Sequence, residues 1–199
     1  MTGKTTVITK EILEKFDFKN YKSPSDFIEK SWNYYKDSFD SNNSINGTIF
    51  ENLVAYVLAY EGIDNIYEQA EVAFVPNAIF DILLYSSEQV FTLSLKTTLR
   101  ERWKQADLEA YAVKNVLKSS KSYVITLSQR EVERRRNQAK NKRDFYNGLD
   151  GFIIATHTEF DDLISELKKY KFTESDTISI IKANDRHSNL QTMNEKFDI

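Results

Sequence analysis

Read from the N-terminus, the apolar positions recur first with a helical period and later with the alternation of strands. Helices are predicted over residues 9–16, 24–38 and 48–61. Ser23 stands where an N-cap hydroxyl accepts from the first turn, Pro24 opens that turn, and Gly62 follows the third helix as a stop. The polar run Asp40-Ser41-Asn42-Asn43-Ser44 reads as a loop between the second and third. Beyond Gly62 the period changes. Strands are predicted over 66–75, 79–85 and 90–96, joined at Pro76-Asn77 and at Ser86-Ser87-Glu88-Gln89. Trp103, Ala106, Ala110, Val113 and Leu117 return to helical spacing over 103–117. A strand over 123–127, a helix over 129–142, a strand over 151–156 and a helix over 160–170 follow, and after Thr173 the pattern specifies no element. This order predicts an α/β fold, a central mixed β-sheet flanked by helices.

With 199 residues, 41% apolar and 29% charged, the chain is expected to form one domain. Residues 1–45 make an N-terminal helical portion and about 46–172 the sheet-bearing core. No run of about 18 apolar residues occurs, and the first residues lack the apolar stretch of a secretory signal. The absence of cysteine removes disulfides, thiolate zinc sites and cysteine nucleophiles, and His157 and His187 are too far apart for a histidine metal motif. A soluble, cytoplasmic protein with no membrane partner is expected. Charge adds one feature. Residues 130–143 carry seven bases against two acids, Glu131 and Glu133, a local charge of +5 on a chain whose total is −3. Such a stretch is either a solvated helix face or a footprint for phosphates, with Arg134, Arg135 and Lys140 as the candidate contacts.

Asp81 is the only charge in Ile79-Phe80-Asp81-Ile82-Leu83-Leu84-Tyr85, and a buried carboxylate is costly unless paired or bound to a cation. The next strand, Phe91-Thr92-Leu93-Ser94-Leu95-Lys96, ends in a lysine, with Ser94 and Lys96 on one face by alternation. A hairpin therefore brings Asp81 and Lys96 together. Glu109 borders the apolar stripe of the following helix, and Glu51 is one of two strongly polar residues, with Asn52, inside an otherwise apolar helix. Each alone is an ordinary surface or rim residue. Together they suit hydrolysis of a phosphodiester, which needs oxygen ligands for Mg²⁺ and a lysine to hold the water or stabilise developing charge.

Asp81, then Ser94-Leu95-Lys96, then Glu109 resembles the PD-(D/E)xK nucleases. Two departures are visible: Phe80 stands in place of the proline, and Ser94 in place of the second acid. Both occur in the type II restriction endonucleases that recognise CCGG, CCNGG or CCWGG, the EcoRII and PspGI type, whose displaced glutamate follows the lysine by thirteen residues, as Glu109 follows Lys96. The resemblance covers residues 51–109 and extends toward 156. It implies catalytic roles for Asp81, Lys96, Glu109 and Glu51, and a Mg²⁺ ion held by Asp81, Glu109 and the backbone carbonyl of Leu95. Arg100-Glu101-Arg102 matches the triplet that reads CC:GG in that group. Arginine suits guanine O6 and N7, and glutamate accepts from cytosine N4. Some members flip the central base pair, for which Trp32, Tyr34 and Tyr35 are candidate platforms or simply a core cluster. The implied partners are double-stranded DNA, a second copy of the chain in a homodimer, and a cognate methyltransferase. Another nuclease of the same fold, acting in repair or transposition, and a catalytically inactive DNA-binding module are the competing expectations.

Overall fold

The computed structural model describes residues 3–40, 42–75, 78–141, 145–174, 180–182 and 185–199. The expected turn at Pro76-Asn77, and Ser41, Lys142 and Arg143, lie outside the described residues.

Three helices open the chain: α1 (Lys4–Lys15), α2 (Pro24–Ser38) and α3 (Asn43–Tyr60). Ser23 caps α2 by accepting from the Asp26 N–H. The helix α3 starts five residues before its predicted boundary. Asn42 accepts from the N–H groups of Ser44 and Ile45 at 3.1 and 3.0 Å, so part of the expected loop is a cap and first turn. At the other end Gly62 takes φ +84°, a conformation open to glycine.

The strands are β1 (Ile66–Val72), β2 (Phe80–Tyr85) and β3 (Val90–Lys96), followed by α4 (Arg102–Val116), β4 (Ser120–Thr126), α5 (Gln129–Lys140), β5 (Gly151–Ile154) and α6 (Thr158–Leu167). The segment without a predicted element supplies β6 (Ile180–Lys182), β7 (Asp185–Ser188) and α7 (Leu190–Phe197). Five strands run in the order β5-β4-β3-β2-β1, and β6 and β7 both pair with the outer edge of β1. The hairpins β1-β2-β3 are antiparallel, whereas β3, β4 and β5 are parallel, with α4 and α5 as the crossovers that parallel pairing requires. The result is an α/β fold with a mixed sheet flanked by helices.

Period-2 alternation distributes the strand side chains between two layers. Ile82, Leu84, Phe91, Leu93, Leu95 and Ile125 join a core with α1, α2, α3, α6 and α7. On the opposite face Val124, Phe152 and Ile154 pack against Leu99, Trp103, Ala106 and Ala110 of the α4 region. The helix α3 is apolar nearly all round because α1, α2, α7 and the sheet all pack on it. Ile8, Ile12, Leu13, Phe27 and Ile28 belong to the same buried cluster, so the N-terminal helices are part of the main core. Asn52, flagged with Glu51 as an interior polar residue, donates to Thr9 Oγ1 at 3.0 Å and is satisfied there. Among the described residues no helix is long and apolar enough to cross a membrane.

Candidate active site

The β2–β3 ladder pairs Tyr85 with Val90 and proceeds to Ile82 with Leu93, where it stops. The strand β3 continues beside β4 as far as Lys96 and Thr126, and β2 beside β1 as far as Phe80 and Ala70. Between them the sheet forks. Asp81 fills the fork and replaces the missing rungs: its Oδ2 accepts from the Leu95 N–H at 2.6 Å and from Lys96 Nζ at 2.8 Å. Ser94 Oγ reaches the same oxygen only at 3.5 Å. Asp81 and Lys96 are 10% and 23% exposed, sheltered enough for the pair to be felt and open enough to be reached. Leu95, whose carbonyl is expected to face a cation, thus already gives its N–H to the same carboxylate.

Glu109 enters from α4, half-buried, with Gln105 Nε2 donating to its Oε1 at 2.8 Å. Burial raises its pKa above the usual carboxylate value, with Asp81 adding to the rise and Gln105 and Lys96 opposing it. The helix is fixed by Asp107, which accepts from the backbone N–H groups of Asn147, Gly148 and Leu149 at 2.9–3.0 Å. Burial works against that charge, yet these donors hold Asp107 below its ordinary pKa. Position 148 must be glycine, since a Cβ there would lie 2.0 Å from the Tyr111 nitrogen.

Glu51 reaches the fork from α3 through a residue that sequence reasoning missed. Gln69 lies opposite Asp81 in the β1–β2 register, and its Nε2 donates to Glu51 Oε2 at 3.1 Å and to Asp81 Oδ1 at 3.3 Å. Its φ of +51° is left-handed, uncommon for a non-glycine residue inside a strand. The one available signal was Glu68-Gln69, two adjacent polar residues that break strand alternation. Glu68 itself is buried and pairs with Lys196 Nζ and Ser188 Oγ, both at 3.0 Å, tying α7 and β7 to β1. A 200 Å³ cavity lies among Thr48, Glu51, Glu68, Gln69, Asp81 and Lys196. Burial, then the Asp81 charge, raises the Glu51 pKa to about 7.

Lys96 pairs with Asp81, its charge also reaches Glu51 and Glu109, and burial makes these last two carboxyls resist ionisation. A divalent cation would relieve that excess of negative charge, and all the donors are hard oxygens. Among the described residues no three His, Cys, Asp or Glu side chains are placed to hold a metal ion by themselves. The set fits Mg²⁺, which retains water and needs only one or two carboxylates besides phosphate oxygens.

Arg100, Glu101 and Arg102 are exposed at the β3–α4 junction, where the Arg102 N–H donates to the Leu99 carbonyl at 2.8 Å and closes a tight turn. Glu101 pairs with Lys104, which lowers its pKa, with further contributions from Arg135 and Arg134. The basic helix α5 thus stands beside the triplet. Its residues differ in role: Arg134 and Lys140 are exposed, Arg135 lies 4.8 Å from the Trp103 ring, and Arg136 turns inward to the Phe152 carbonyl and Glu159, both at 2.7 Å.

The three aromatics of α2 also separate. Tyr35 is fully buried and donates to Asn46 Oδ1 at 2.7 Å, a core role. Tyr34 packs edge-on to Phe39. Trp32 is half-buried against Tyr35 and Phe50 and lines a 360 Å³ cavity with Lys36, Asn46, Thr98, Arg100 and Arg102. His157 is the N-cap residue of α6, away from these contacts.

No protein-family model, curated protein or solved structure matches the chain.

Proposed function

We propose that this protein is a Mg²⁺-dependent deoxyribonuclease of the type II restriction class, hydrolysing double-stranded DNA at a palindrome that contains CC and GG. The observation that carries this reading is the Asp81–Lys96 contact of 2.8 Å at the point where β2 and β3 part. Asp81 and Glu109, with the Leu95 carbonyl, would hold the cation, which supplies Lewis-acid stabilisation of the scissile phosphate and a more acidic water. Lys96 orients the attacking water and stabilises the charge that develops on phosphate oxygens. Glu51, with a pKa of about 7, is suited to take up or return a proton near neutral pH.

The exposed Arg100, Glu101 and Arg102 contact base edges, while Arg134 and Lys140 hold phosphates. The cavity lined by Trp32 and the two arginines has the chemistry to receive one unstacked base: an aromatic face with cationic and amide donors around it. A palindrome presents the same chemistry on both strands, which favours a twofold homodimer. A cognate methyltransferase would protect host sites, and the reaction belongs in the cytoplasm with the DNA.

Incubation with unmethylated phage DNA tests the reading. Discrete fragments in Mg²⁺, lost in chelator and in Lys96→Ala, are expected. A smear would indicate a nuclease without sequence specificity, and binding without cutting would indicate an inactive module.

A further inference from the structure

The turn that presents Arg100-Glu101-Arg102 carries a backbone that needs support. Arg100 has φ +39°, in the left-handed region, and its side chain and those of Glu101 and Arg102 are exposed. Leu99, fully buried, anchors one end of the turn. We propose that Glu131 is a positioning residue for sequence recognition, gripping this turn from the first turn of α5. Its Oε2 accepts from the Leu99 N–H at 2.8 Å and its Oε1 from the Arg100 N–H at 3.0 Å. Two successive N–H groups aimed at one point form a small anion-binding concavity, and here a carboxylate fills it.

Glu131 is otherwise out of place. It sits in the most basic segment of the chain, where a negative charge opposes phosphate binding, so holding phosphates does not explain it. Burial works against its charge, yet the Leu99 N–H, the Ser128 hydroxyl and the Arg100 N–H hold its carboxyl below the usual range. One helix then carries two devices: Arg134 and Lys140 turned to solvent, and Glu131 turned to the backbone of the reading turn. Docking of α5 on the DNA backbone would fix where the triplet meets the groove. The inference rests on the reading of the triplet as the base-recognition element.

The test is competition binding in Ca²⁺, with duplexes containing CC/GG palindromes against scrambled duplexes. Glu131→Ala is expected to lower the preference for the palindrome by roughly 10-fold, the scale of one lost bidentate base contact. Affinity for scrambled DNA should stay the same or rise, because a negative charge has been removed. The double variant Arg100→Ala/Glu131→Ala should lose less discrimination than the two single losses added together, since both act through one element. Independently of DNA, hydrogen exchange at the Leu99 and Arg100 amides should quicken in Glu131→Gln, which keeps the shape but only one acceptor. Unchanged exchange, unchanged preference, or equal loss on both duplexes would overturn the role. Absence of any preference in the wild-type protein would refute the recognition reading itself, and the role of Glu131 with it.

Discussion

Replacing Glu51 by Gln should make the metal-free protein more stable while it slows cleavage. The carboxyl has a pKa of about 7 in the fold, because burial and the Asp81 charge oppose its ionisation. In the unfolded chain it has the ordinary value near 4.3. Below that value both states are protonated and the residue is neutral toward folding. As pH rises through the interval the unfolded state ionises first, so stability falls until the folded carboxyl ionises as well. The full cost at pH 8 is about 4 kcal/mol, from roughly 1.4 kcal/mol per pKa unit. Glutamine keeps the shape, can still accept from Gln69, and removes this cost. For a chain of this length about 1 kcal/mol moves Tm by about 2–4 °C, so Glu51→Gln should melt about 8–16 °C higher at pH 8 and nearly level with wild type at pH 4. Calorimetric or fluorescence melts across pH 4–8, with and without Mg²⁺, measure this directly. Mg²⁺ should raise the wild-type Tm more than that of the variant, because the cation relieves the same repulsion. A variant that melts lower than wild type at pH 8, or by the same margin at every pH, would refute the electrostatic account of Glu51.

Four further outcomes follow from the structure. Ser94→Ala should reduce cleavage far less than Glu109→Ala, since Ser94 Oγ touches Asp81 only at 3.5 Å; single-turnover rates compare them, and equal loss would give Ser94 a direct role. Gln69→Gly removes the left-handed strain, of about 1–3 kcal/mol, while freeing Glu51 and Asp81, so Tm should hold or rise as the rate falls; a parallel fall in both would make Gln69 a fold residue. Arg134→Ala and Lys140→Ala should each weaken binding to all DNA alike and reduce the slope of log K against log salt by about 0.9 per lost phosphate contact. Arg135→Ala should additionally lower Tm, because its stack on Trp103 is lost.

Asp81 was legible in the sequence because a lone charge in an apolar strand demands a partner, and Lys96 because it ends the next strand on a shared face. Glu109 followed from helical spacing. Gln69 was not legible, since no residue type other than glycine or asparagine announces a left-handed φ. The start of α3 was hidden because Asn42 to Ser44 favour a loop and a cap by the same chemistry, side-chain oxygens accepting from nearby N–H groups. The first turn of α1, Lys4-Thr5-Thr6-Val7, is rich in β-branched residues with low helix propensity, and packing of Ile8, Ile12 and Leu13 on the core overrides it. The strands β6 and β7 owe their extended form to pairing with β1 more than to any pattern of their own. Glu131 reads in the sequence only as an offset to neighbouring arginines, because its partners are backbone groups 31 and 32 positions away.

The strand that carries Gln69 finds half of its hydrogen bonds very late along the chain. Its outer edge is covered by β6 and β7, and the Ser188–Glu68 contact spans 120 positions. During synthesis β1 can pair with β2 on one side as soon as the hairpin emerges, while the other side stays a bare ladder of N–H and C=O groups until β6 and β7 have been added. Such an edge invites pairing with other chains, and distant closure slows folding. The carboxylate cluster is therefore framed on both sides only when α7 docks and Lys196 meets Glu68. Protection of the β1 amides in pulsed hydrogen exchange should accordingly appear after that of β3 and β4, which makes the site one of the last parts of the molecule to become rigid.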